Sequence, residues 1–115
     1  MYYTYMVRCY DNSIYTGITT DLERRMQEHN LQNDKSAKYT KRHKIKQLEQ
    51  AWISEDKILA SKLEYHIKHR LTKIQKENLI QNYKLLKSYS KEKIDSTNYK
   101  KVRKSTISKI NKTIY

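Results

Sequence analysis

Five side chains in this 115-residue sequence are of types that can do chemistry on a charged substrate: Tyr5, Tyr15, Arg25, His29 and Glu64. Arginine presents a planar fork of donors that fits a phosphate or carboxylate. A carboxylate can anchor a hard divalent cation that keeps most of its waters. A tyrosine hydroxyl, with a pKa near about 10, is a poor base unless a neighbouring cation lowers that value or the proton is passed onward. Each residue also has an ordinary reading. The tyrosines would fill the core of a chain without Phe, Arg25 and Glu64 would be solvated helix residues, and a histidine near a helix C-terminus is favoured by the macrodipole. Arg24 is the internal control for Arg25, because adjacent helix positions project about 100° apart.

The elements that would position these groups follow from patterning. Residues 2–9 mix β-formers with partial alternation, Asp11-Asn12-Ser13 is a turn signal, and Ile14 to Ile18 is a second β-rich run, which predicts a hairpin. Thr20 with Glu23 has the spacing of a capping box, and Leu22 and Met26 form an i, i+4 apolar pair, so a helix is expected from Asp21 to His29, stopped by Asn30. Residues 31–44 are polar and basic. Gln47 to Ile53 reads as a third strand with Trp52 as a core anchor, and Ser54 then caps a long helix with Leu59, Leu63 and Ile67 on one face. Thr72 and Gln75 suggest a further capped helix running to Leu86. From Lys87 onward Lys, Ser, Thr and Asn dominate, which predicts a compact domain over 1–86 and a basic, flexible extension over 87–115.

Composition narrows the function classes. Lys and Arg number 25 against 12 Asp and Glu, a formal net charge of +13. The excess is uneven: residues 1–30 carry three bases against four acids, 31–83 twelve against six, and 84–115 ten against two. A basic middle and tail beside a neutral start suits a nucleic-acid backbone, where phosphate neutralisation releases counterions. No run of apolar residues is long enough for a membrane span and no signal-peptide pattern opens the chain, so a cytoplasmic protein without a membrane partner is expected. Cys9 alone cannot form an internal disulfide and reads as a small core residue. His66 and His69 have a spacing compatible with a metal pair but lack a third ligand nearby.

Taken together, Tyr3-Thr4-Tyr5, then Tyr15-Thr16-Gly17, then Asp21 to His29 with Arg25, resemble the signature of the GIY-YIG endonuclease family. Average usage would place about eight glycines in such a chain, yet its single one, Gly17, is expected at the strand-to-helix junction where the family has its glycine. The resemblance continues through Ala37-Lys38-Tyr39-Thr40 and Leu63-Glu64-Tyr65-x-Ile67-Lys68. It covers about residues 2–83 and is strongest to small stand-alone bacterial members and to the nuclease domain of the eukaryotic subunit that cuts branched DNA. Two departures stand out: Tyr3 replaces the family's leading glycine, and Asn33-Asp34-Lys35-Ser36 replaces a glycine-rich segment.

The resemblance implies an α/β sandwich with a three-stranded antiparallel sheet flanked by helices. It implies Tyr5 as general base, Tyr15 positioning water and phosphate, Arg25 on the scissile phosphate, His29 orienting or relaying, and Glu64 holding Mg²⁺ or Mn²⁺. Gly17, Lys38 and Tyr39 would lie on the substrate side. The implied activity is metal-dependent hydrolysis of DNA phosphodiester bonds, selective for structure or ends, in repair or processing, with a protein partner for targeting as an option. The alternative is a non-catalytic or partner-dependent nucleic-acid-binding module.

Overall fold

The computed structural model describes residues 1–31 and 43–115. In chain order these are β1 (Tyr2–Cys9), β2 (Ile14–Thr19), α1 (Leu22–Leu31), β3 (Ile45–Ser54), α2 (Lys57–Arg70), α3 (Lys73–Gln81), α4 (Leu85–Ser90), a 3₁₀ turn (Ser96–Asn98), β4 (Lys100–Lys101) and α5 (Lys104–Ile114). The strands form one antiparallel sheet in the order β2-β1-β3-β4. The expected α/β sandwich is present. Its sheet has four strands rather than three, the fourth pairing Lys101 with Trp52 and Lys100 with Ile53.

Strand alternation divides the core into two layers. Tyr5, Val7 and Cys9 of β1 pack with Leu22 and Met26 of α1 and Ile107 and Ile110 of α5. Met6 and Trp52 face the other way, against Leu63 and Ile67 of α2, Leu79 of α3 and Leu86 of α4. A register shift between Met6 and Val7 pairs Met6 with Gln50 but Val7 with Leu48. That extra residue turns Leu48 onto the same face as Ala51. The β1–β2 turn is closed by Asp11, whose carboxylate accepts from the Ser13 backbone N–H at 3.0 Å, with Asn12 at a φ of 70°.

The flexible extension expected from Lys87 is corrected by the structure. A boundary at 86/87 falls inside α4, and the last residues complete both layers: Tyr99 joins one cluster, and Val102, Ile107 and Ile110 join the other. Asn111 acts as a surrogate strand. Its side-chain amide donates to Leu48 O and accepts from Leu48 N–H, both at 2.9 Å, where β4 is too short to reach. The Tyr115 hydroxyl donates to Met26 O at 3.0 Å, tying the final residue to α1. The polar composition misled because α5 needs only one apolar residue per turn to bury a face, and its outer face carries the lysines.

Local signals also shift. Asp21, not Thr20, accepts from the Arg24 N–H at the start of α1, and the helix runs past Asn30 to Leu31. Asp56, not Ser54, caps α2 by accepting from Leu59 N–H at 2.9 Å, while Ser54 ends β3 with its hydroxyl buried. The Thr72–Gln75 capping box is present as expected. The helix it opens stops at Gln81, however, and Leu85 and Leu86 belong to α4. Arg8, at the end of β1, pairs with Glu49 of β3 at 3.1 Å and with Glu77 of α3, joining sheet to helix.

Candidate active site

The chemistry-bearing residues meet at the β2 edge of the sheet, where α1 comes from one face and α2 reaches round from the other. Tyr5 and Tyr15 project to the same side of adjacent strands, with ring centroids 6.3 Å apart. Arg25 and His29 are one turn apart on α1, so both reach this side. The Tyr5 hydroxyl and His29 Nε2 lie 2.8 Å apart, and His29 stands edge-on to both phenols at 5.8 and 6.0 Å. Tyr5 and His29 are each 1% exposed, whereas Tyr15 is half-buried and so is the phenol that reaches solvent.

Gly17 belongs to this geometry, not to a strand-to-helix junction. It lies within β2 directly opposite Tyr5, with no positive φ. A Cβ there would come 2.5 Å from the Tyr5 oxygen and 3.1 Å from the Tyr15 ring. The requirement is therefore space for two phenols, not backbone freedom.

Electrostatics orders the protons. Burial, then the neighbouring Tyr15, pushes the Tyr5 hydroxyl above its ordinary value, while a hydrogen bond and the positive charge of Arg25 pull it down. Burial first, and then the Arg25 charge, depresses His29 to about 4, so its ring is neutral near pH 7. Arg25 donates to the Tyr5 oxygen, and in the His29 tautomer with its proton on Nδ1 the Tyr5 O–H donates to Nε2. Tyr15 is also raised, by burial and then by the Glu64 carboxylate, with Arg25 opposing. Glu64 raises Tyr5 too, which puts its charge within reach of both phenols.

Arg25 is held from behind by Glu28 at 3.1 Å. Arg24, the control, is exposed, and its side chain turns toward Thr20. One contributor escaped the sequence reading. Lys68 sits 5.0 Å above the Tyr15 ring and 3.7 Å from Glu64, bridging phenol and carboxylate. Its i+4 spacing from Glu64 was the available signal. Lys38 and Tyr39 lie outside the described residues.

Among the described residues no three His, Cys, Asp or Glu side chains gather as a metal-binding group. His66 is committed elsewhere, since its Nε2 donates to Tyr89 O at 2.8 Å, and His69 stacks on Tyr65. Glu64, partly exposed and paired with Lys68, has the donor chemistry for a hydrated Mg²⁺ or Mn²⁺, which needs only one or two carboxylates from a protein. A cleft of about 660 Å³ between the start of α1 and α5 contains none of these residues.

The antiparallel sheet between helices, with two phenols, an arginine, a histidine and a glutamate at one edge, agrees with a GIY-YIG-type domain. The GIY-YIG catalytic domain family matches residues 1–78, and the chain belongs to that family. Its relatives include UPF0213 protein FN1575 of Fusobacterium nucleatum subsp. nucleatum, 44% identical over 79 residues that cover 69% of this chain and 76% of that protein. UPF0213 protein YsiG of Lactococcus lactis subsp. lactis is 41% identical over 81 residues, covering 70% and 76%. UPF0213 protein YhbQ of Escherichia coli O8 is 44% identical over 79 residues, covering 69% and 76%. These relatives are small bacterial proteins whose names state no activity; the likeness to the eukaryotic branched-DNA subunit rests on the sequence motifs alone. No solved structure gives a significant match. No helix among the described residues is long and apolar enough to cross a membrane.

Proposed function

We propose that the chain is a metal-dependent endonuclease that hydrolyses DNA phosphodiester bonds, selective for DNA structure or ends rather than sequence, in repair or processing. The observation that carries this reading is the 2.8 Å hydrogen bond between the Tyr5 hydroxyl and Nε2 of a neutral His29, inside a cluster that also holds Arg25, Tyr15 and Glu64.

Hydrolysis requires a deprotonated water, charge stabilisation at the phosphoryl oxygens and help for the leaving oxygen. Tyr15, the solvent-reaching phenol, positions the water against the phosphate. Tyr5 takes the water's proton on its oxygen as its own proton passes to His29 Nε2, so a phenol of high pKa serves as a base without becoming a phenolate. Arg25 would meet the phosphate with its guanidinium fork, its orientation fixed by Glu28 at 3.1 Å. Glu64 would hold Mg²⁺ or Mn²⁺, which when bound supplies Lewis-acid stabilisation to the phosphoryl and leaving oxygens. Lys68 pairs with Glu64 at 3.7 Å beside the two phenols.

The net charge of +13 supports a polyanionic substrate. A decayed, purely binding module is opposed by the intact set of phenols, guanidinium and carboxylate in one cleft. The test is cleavage of labelled duplex, single-stranded, flap and four-way-junction DNA with Mg²⁺ or Mn²⁺ against EDTA. Metal-dependent products are expected, and binding without cleavage on every substrate would overturn the reading.

A further inference from the structure

A second feature lies on α2, one residue on from Glu64. A groove of about 560 Å³ runs between α2 and the segment after α4, within the size range of small-ligand sites. Its apolar lining is Ile58, Tyr65 and Ile94, and its rim carries Lys62, Arg70 and Lys93, with no Asp or Glu among the residues that line it. Ile58 is 68% exposed and Tyr65 55% exposed, so both side chains are open to a ligand. The Tyr65 ring is not loose: His69 packs against it at 4.6 Å and Arg70 sits 5.8 Å from its centroid.

An exposed, braced aromatic ring inside a ring of cations is the arrangement that binds unpaired nucleic acid, bases stacking on the ring and phosphates meeting the cations. A duplex offers its bases to no such ring, because they are already stacked and paired, and the groove is too small to seat one. Adjacent positions on a helix point about 100° apart, so Tyr65 faces the flank of α2 next to the face that carries Glu64 into the cleft.

We propose that the Ile58–Tyr65–Ile94 groove is a single-stranded DNA subsite, with a base stacked on Tyr65 and flanking phosphates held by Lys62, Arg70 and Lys93. The proposal rests on the nuclease reading for the identity of the polymer, and it gives that enzyme a physical basis for choosing DNA with an unpaired arm.

The experiment is fluorescence anisotropy of the full chain with labelled oligo-dT and with duplex DNA of equal length, in EDTA, so that binding is read without cleavage. Tyr65→Ala is expected to weaken oligo-dT binding about tenfold and duplex binding less than about twofold. Tyr65→Trp restores the affinity because it restores the stacking face. Lys62→Gln and Arg70→Gln each lower the salt slope of oligo-dT binding by about one. Tyr65 is exposed, so its loss does not threaten the fold. Equal losses on both DNAs, no loss on either, or a Trp variant as weak as the Ala variant would overturn the proposal. So would an acidic peptide, poly-Glu, that displaces oligo-dT at equal concentration, since the groove would then read charge alone and suit a protein partner. A failed nuclease reading shows instead as absent cleavage while these binding differences persist.

Discussion

Gly17 faces Tyr5 across the β1–β2 pairing, and the space a methyl group would need there is already filled by the Tyr5 hydroxyl, 2.5 Å from the ideal Cβ position. In a chain with one glycine, that residue is spent on letting two tyrosines lie side by side.

Gly17→Ala therefore should act through displacement of Tyr5, which is buried and bonded to His29 and cannot swing aside. Overpacking of this kind costs about 1–3 kcal/mol. Chemical denaturation followed through Trp52, the only tryptophan and fully buried, should report that loss together with a fall in cleavage of at least about tenfold. A Gly17→Ala protein with unchanged stability and activity would mean that the Tyr5 ring is not pinned.

His29 predicts a pH dependence of stability. Its folded value of about 4 lies below the ordinary 6.5, so the unfolded chain binds the extra proton between those limits. The contribution is complete above about pH 6.5 and declines as pH falls toward 4, by up to about 3 kcal/mol. His29→Gln should flatten the corresponding limb of a plot of unfolding free energy against pH. Parallel curves for the two proteins would show that His29 is not held neutral.

Arg25 and Arg24 offer a matched pair. Arg25→Ala removes a donor to Tyr5 and the fork proposed for the phosphate, and turnover should drop by two orders of magnitude or more, with the loss mainly in kcat. Arg24→Ala, on the exposed side of α1, should stay within about threefold. Equal losses would assign both to general electrostatic attraction, which a salt titration would expose as parallel slopes.

The C-terminal residues give a stability prediction that runs against their composition. Asn111→Ala leaves the Leu48 N–H and C=O without their side-chain partner, at a cost of about 1–3 kcal/mol. Deleting residues 87–115 uncovers both layers of the core and should abolish cooperative unfolding rather than merely reduce DNA affinity. A truncated chain with a sharp transition would restore the flexible-extension view.

Most of the site was legible because it is written in local spacing. Tyr5 and Tyr15 share a face through hairpin register, and Arg25 and His29 share one through the helical repeat. The reason for Gly17 was not legible, because it depends on what stands across the strand. Asp56 and Asp21 displaced the expected caps Ser54 and Thr20 since either polar residue satisfies the local rule, and the sheet decides where each strand stops. Lys68 and Asn111 each act over tertiary distance, on Tyr15 and on Leu48, and spacing offered only the i+4 relation of Lys68 to Glu64. The extension beyond Lys87 was misread because low hydropathy says little about a helix that buries a narrow stripe.

Whether one carboxylate makes this cluster a hydrolytic site is tested most directly by Glu64→Ala. Cleavage of a labelled flap or junction in Mg²⁺ or Mn²⁺ should disappear in Glu64→Ala while binding of the same DNA in EDTA stays within about threefold and the unfolding midpoint is retained. A Glu64→Ala protein that still cuts in a metal-dependent manner would place the cation elsewhere and contradict the account.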